Sequence, residues 1–151
     1  MGVVSFFGTS MTQEKQEKYD KAYLKMAREW ATLSHCQRKK VGALLVKEGM
    51  IISDGYNGTP SGFPNQCEDA EGNTQWYVLH AEANAILKVA RSANNAKDST
   101  LYITLSPCKE CCKLILQAGI TRMVYIDEYK DRTGVDFLNE AGLQVVQISQ
   151  V

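Results

Sequence analysis

The sequence predicts an α/β domain of three layers, with a mixed five-stranded sheet between helices. Three observations predict it. A long amphipathic helical pattern opens the chain, and two short aliphatic runs joined by Glu48-Gly49 read as a hairpin. From Trp76 onward helical patterns alternate with strand-like ones, which calls for parallel strands joined by right-handed crossovers.

Thr12 is the expected N-cap of the first helix, which should end near Ser34. Tyr19, Ala22, Tyr23, Met26, Trp30 and Leu33 recur at helical spacing and are expected as its buried face, with Glu14, Lys15, Lys18 and Lys25 in water. Ser34 to Lys40 is a polar connection carrying three consecutive cations, Arg38, Lys39 and Lys40, which reads either as a solvated loop or as a phosphate contact. Val41 to Val46 and Met50 to Ser53 are the hairpin strands. The glycine- and proline-rich stretch from Gly55 to Gly62 cannot be regular, and the irregular sequence running on to Thr74 is long for a compact domain, which favours function.

The second helix is expected over Trp76 to Ala93, with Leu79, Ala83, Ile86, Leu87 and Ala90 as its buried stripe. Thr100 to Leu105 alternates as a strand. Pro107 to Ala118 reads as the third helix, with Pro107 in its first turn and Gly119 as its C-terminal cap. Ile120 to Ile126 is a strand, about Gly134 to Ala141 a short helix, and Leu143 to Ile148 the last strand.

No repeat or linker divides the chain, so residues 12–151 are expected as one domain and residues 1–11 as a flexible extension, with Met11 an alternative start. At 151 residues, 44% of them hydrophobic and 23% charged, the chain has the composition of one ordinary globular domain. Its 17 basic and 17 acidic residues balance, which argues against a footprint for long nucleic acid but not against a small anion. No apolar run is long enough to span a membrane. The five cysteines (36, 67, 108, 111 and 112) are odd in number and two are adjacent, so metal binding in a reducing, cytoplasmic setting is expected over a disulfide framework.

The chemistry concentrates in two motifs, His80-Ala81-Glu82 and Pro107-Cys108-Lys109-Glu110-Cys111. Cys108 and Cys111 stand three apart at a helix start, on one face, where the macrodipole favours thiolates. With His80 they make a His/Cys/Cys set, which leaves a tetrahedral zinc one open position for an acidified water, the catalytic arrangement. Glu82 is the expected proton carrier. Residues two apart on a helix diverge, however, so Glu82 has to bend back in the first turn. Cys112 reads as a packed core thiol.

With these motifs, and with Val41-Gly42-Ala43, Gly55-Tyr56-Asn57-Gly58, the run to Ile86 and Leu101 to Cys108, the chain resembles the zinc-dependent cytidine/deoxycytidylate deaminases. Gly55 to Gly58 with Pro60 and Gly62, and Ser106 before Pro107, look like the deoxycytidylate branch. The resemblance implies the cytidine-deaminase-like fold and hydrolytic deamination of dCMP to dUMP and ammonia, supplying dUMP for thymidylate synthesis. It assigns one catalytic Zn2+ to His80, Cys108 and Cys111, and proton transfer to Glu82. Substrate contacts fall to Arg38 at the phosphate, Asn57 at the sugar, Ala81, and Tyr129 closing over the nucleotide, while Asn84 is a candidate tie to the glycine-rich loop.

Cys36 and Cys67 resemble positions that carry a second, structural zinc in some members. The further histidine those members supply is missing between Cys67 and His80, which leaves His35 as a substitute. The resemblance also implies a homo-oligomer, in many members a hexamer, with dCTP and dTTP as effectors. Rival readings are a deaminase for another base, nucleoside or tRNA adenosine, and a non-catalytic zinc-stabilised protein. Neutral charge and Ser106 count against the tRNA editor, Arg38 favours a monophosphate, and Glu82 is superfluous for mere metal binding.

Overall fold

The structure, a computed structural model, describes the backbone of residues 3–6 and 9–151 and the side chains from Thr12 onward. A two-stranded ribbon, β1 (Val3–Phe6) and β2 (Thr9–Thr12), precedes the first helix, α1 (Gln13–Ala31). The flexible extension expected over residues 1–11 falls in part on residues outside those described. Thr12 is the N-cap, its hydroxyl accepting the Lys15 N–H at 3.2 Å.

The buried face of α1 differs from the expected one. It consists of Gln16, Asp20, Leu24, Ala27 and Ala31, whereas Tyr19, Met26 and Leu33 are exposed. Asp20 explains the rotation. Its carboxylate takes both Arg122 guanidinium nitrogens, at 2.8 and 2.7 Å, and the Tyr102 hydroxyl at 2.6 Å. A fully paired carboxylate is tolerated inside, and this one puts a polar residue on the core stripe.

The main sheet has the order β4-β3-β5-β6-β7. Strands β3 (Gly42–Lys47) and β4 (Met50–Tyr56) form the expected hairpin, and Glu48 and Gly49 make its turn at φ 52° and 77°. Strand β5 (Thr100–Leu105) pairs antiparallel with β3, while β6 (Arg122–Asp127) and β7 (Gln144–Gln147) follow in parallel. The mixed sheet and its three layers are those read from the sequence.

Alternation along the strands supplies two cores. Leu44, Val46, Tyr102, Val124 and Ile126 face Leu24 and Ala27 of α1. Ala43, Leu45, Leu101, Ile103, Met123 and Tyr125 point the other way, toward the remaining helices. These are α2 (Ala81–Ala90), α3 (Lys109–Gln117) and α4 (Thr133–Glu140). At Gly42 a Cβ would stand 1.9 Å from Ala27 O, so α1 rests on the sheet at a separation only glycine allows.

Helix α2 begins five residues later than expected and buries Ala81, Glu82, Ala83, Ala85 and Val89, with Leu87 exposed. Residues 76–80 belong instead to the end of the long loop, where Gly58 and Leu79 exchange backbone hydrogen bonds at 3.0 and 2.8 Å. That loop also carries a correction. Cys36 and Cys67 are joined as a disulfide, with Cα atoms 5.1 Å apart. Oxidised, they offer no thiolate, so they do not form the possible second zinc site in this structure. Fold-back of the loop onto residues 34–38 creates the pairing, which sequence spacing does not reveal.

Candidate active site

Both motifs lie at helix starts, and the backbone there resolves the difficulty of placing His80 and Glu82 together. His80 is the N-cap of α2, with extended φ and ψ of −75° and 157°, and Glu82 is the second residue of the helix proper. The two side chains therefore leave from different backbone conformations and are not opposed across a helix. Cys108 is likewise the N-cap of α3, at −72° and 166°, and Cys111 lies within its first turn. Neither N-cap side chain is spent on capping.

His80 Nδ1 lies 3.3 Å from Cys111 Sγ and 3.7 Å from Cys108 Sγ. One ligand atom from each of the three residues lies within 4.8 Å of the others, and no other such cluster is found among the described residues. Ordinary zinc–sulfur and zinc–nitrogen bonds at tetrahedral angles require edges of about 3.6 Å. The donor set therefore fits zinc in chemistry and in spacing. Hydrogen bonds from Cys111 and His80 hold the Cys108 thiol far below its usual range, while Cys111, donating to Cys108, is pushed well up. The pair thus holds thiolate charge at a helix start.

Glu82 is 3% exposed. Burial pushes its carboxyl up to about 7, against the opposing pull of its own backbone N–H, the His80 ring and the Cys111 thiol. A carboxyl poised there can both take and return a proton near neutral pH.

A cavity of about 360 Å³ opens above these groups, lined by His80, Glu82 and Cys108 together with Arg38, Asn57, Ala81 and Tyr129. Its size suits a small ligand. Ala81 is fully buried in the wall, and its backbone N–H is among the donors a helix start leaves without an intrahelical partner. Asn57 braces the wall as well: its Oδ1 accepts the Val41 N–H at 2.9 Å and its Nδ2 donates to Lys39 O at 2.8 Å. One lone pair and one N–H remain for a ligand. Asn84 donates to Tyr56 O at 2.8 Å and so ties α2 to the glycine-rich segment. Cys112 is fully buried in the core, as expected.

Several lining residues had no site role in the sequence reading, Ser106, Glu68 and Lys130 among them. Ser106 Oγ accepts the Tyr129 N–H at 2.6 Å and ties the loop after β6 to the metal-binding end of β5. The Glu68 carboxylate accepts the backbone N–H groups of Gln37 and Arg38, next to the disulfide. Lys130 adds a cation beside Tyr129. Ser106, directly before Pro107-Cys108, carried a signal in the sequence, whereas Glu68 and Lys130 lie in irregular segments with none.

A sheet of this topology, with a His/Cys/Cys donor set and a buried glutamate at the starts of two helices, defines a zinc-dependent deaminase fold and site. The family model for the cytidine and deoxycytidylate deaminase zinc-binding region matches residues 17–127, and the chain belongs to that family. It is 35% identical to the deoxycytidylate deaminase of Enterobacteria phage T4 over 76% of this chain and 82% of that one. It is 34% identical to the deoxycytidylate deaminase of Saccharomyces cerevisiae over 87% of this chain and 45% of that one. Among solved structures, dCMP deaminase of cyanophage S-TIM5 in complex with dCMP and dUMP superposes with a TM-score of 0.84 at 44% identity, covering 91% of this chain and 99% of that one.

Proposed function

We propose that the protein hydrolyses dCMP to dUMP and ammonia. The observation that carries this reading is the buried Glu82 carboxyl beside the His80, Cys108 and Cys111 donors, at the floor of a cavity whose mouth holds Arg38, Lys39 and Lys130. Names and structures of the relatives support dCMP over other deaminase substrates.

One catalytic zinc on the three donors would act as a Lewis acid that lowers the pKa of water. Glu82 takes the proton from the attacking water and delivers it to N3 of the cytosine ring as the oxygen adds to C4. It then takes the remaining proton from the oxygen added at C4 and passes it to the exocyclic amine as the C4–N bond breaks, the C4 carbonyl forms and ammonia leaves. One carboxylate serves first as base and then as acid. Asn57 and the Ala81 backbone N–H hold the sugar and base edge, Arg38 meets the phosphate, and Tyr129 covers the nucleotide against water.

By the same resemblance the chain assembles as a homo-oligomer, with a hexamer and control by dCTP and dTTP as the specific expectations, and works in the cytoplasm. Among the described residues no helix is long and apolar enough to cross a membrane.

A spectrophotometric assay of the zinc-loaded protein on dCMP, CMP, deoxycytidine and dCTP tests the proposal. Preferred conversion of dCMP is expected. Equal turnover of deoxycytidine and dCMP would remove the phosphate role given to Arg38, and no turnover of any cytosine compound would overturn the proposal.

A further inference from the structure

The mouth of the cavity is more positive than the balanced chain around it. Arg38, Lys39 and Lys130 line it, and among the described residues none of their side chains forms an ion pair with a carboxylate. Glu68, Glu128 and Asp131 are committed elsewhere. Glu68 accepts the N–H groups of Gln37 and Arg38. Glu128 pairs with Arg132 and accepts the Tyr125 hydroxyl. Asp131 accepts from the Thr133 N–H and hydroxyl.

Lys39 is the cation whose position is built. Its Nζ lies 4.8 Å from the centroid of the Tyr129 ring, a cation–π contact joining two loops that line the cavity. Both ends of that contact are anchored: Lys39 O accepts Asn57 Nδ2 at 2.8 Å, and the Tyr129 N–H donates to Ser106 Oγ at 2.6 Å. A ring face uses none of the ammonium's N–H groups in a directed bond, so the donors stay available to an oxyanion.

We infer that Lys39, held over Tyr129, is a specificity-determining residue for the phosphate of the nucleotide. The inference rests on the dCMP reading of the site and adds a second phosphate cation beside Arg38. The contact fixes the ammonium before substrate arrives, so less side-chain freedom is lost on binding. It also couples phosphate recognition to the tyrosine that covers the nucleotide.

Calorimetric titration of the zinc-loaded protein with dUMP and with deoxyuridine tests this without turnover. For Lys39→Met the Kd for dUMP is expected to rise about tenfold, the loss of one charge-assisted contact, with deoxyuridine binding unchanged. Lys39→Arg should restore most of the dUMP affinity. Tyr129→Leu should also weaken dUMP binding, and the Lys39→Met/Tyr129→Leu double variant should lose less than the product of the two single effects. Unchanged dUMP affinity in Lys39→Met, an equal loss for deoxyuridine, or independent effects in the double variant would overturn the inference. With dCMP turnover intact, such a result leaves the proposed function standing. A wild-type protein that binds dUMP no better than deoxyuridine would overturn both.

Discussion

Gly55 of β4 lies against the first turn of α2 so closely that a Cβ on it would stand 2.4 Å from Ala81 O and 2.8 Å from Ala85 N. The sheet thereby sets the height of the helix whose start carries His80 and Glu82. Backbone atoms cannot swing aside as a flexible side chain can, so Gly55→Ala should push α2 outward. Overpacking of this kind costs ~1–3 kcal/mol. A lowered Tm together with weaker zinc retention, measured by metal analysis after dialysis, is the expected result. A variant with wild-type Tm and zinc content would show that the helix start is set by something other than this contact.

The buried Asp20–Arg122–Tyr102 cluster joins α1 to β5 and β6. Removing one partner of a buried ion pair leaves the other charge uncompensated, at a cost of about 3–5 kcal/mol. Asp20→Ala should therefore lose that much in urea unfolding, far more than a substitution at an exposed carboxylate such as Glu17. Equal losses at the two positions would refute the assignment.

The same cluster sets an alkaline limit. Burial, followed by the charge and hydrogen bond of Asp20, raises the Tyr102 phenol above its ordinary value of about 10. Above that pH the unfolded chain gives up the phenolic proton while the folded one keeps it, so the unfolded state gains. The stabilising contribution is thus fully present below about pH 10 and is lost as the pH rises beyond it. Tm should fall across that window in the wild type and fall less steeply in Tyr102→Phe. Parallel profiles would sink the linkage.

The disulfide holds the long loop against the segment that bears Arg38. Cross-links of this kind stabilise by about 2–4 kcal/mol, chiefly by constraining the unfolded chain. Reduction, or replacement of both cysteines by serine, should lower Tm and loosen protection of residues 57–80 in hydrogen exchange. Protection that survives reduction would mean that Glu68 and the Gly58–Leu79 pairing hold the loop by themselves.

What the sequence revealed and what it hid divide along physical lines. The His/Cys/Cys cluster and the buried Glu82 were legible because each motif is local: a Cys-x-x-Cys at a helix start and a His-x-Glu at another fix their own geometry. The strands and their parallel order were legible from alternation and from intervening helices. The phase of α1 was not, because Asp20 is accepted in the core only through Tyr102 and Arg122, 82 and 102 residues away. The start of α2 was misplaced because Trp76 to Leu79 continue an apolar pattern while their backbone is committed to the loop; Trp76 itself is 92% exposed. Cys36 and Cys67, 31 residues apart, meet only once that loop has folded back.

The central claim is that Glu82 moves the proton while His80, Cys108 and Cys111 hold the metal. Its most direct test is dUMP formation by Glu82→Gln at a zinc content matched to the wild type. Loss of general acid–base catalysis predicts a fall in kcat of about 10²–10⁴-fold with zinc stoichiometry unchanged. Wild-type turnover by the zinc-replete variant would contradict the account.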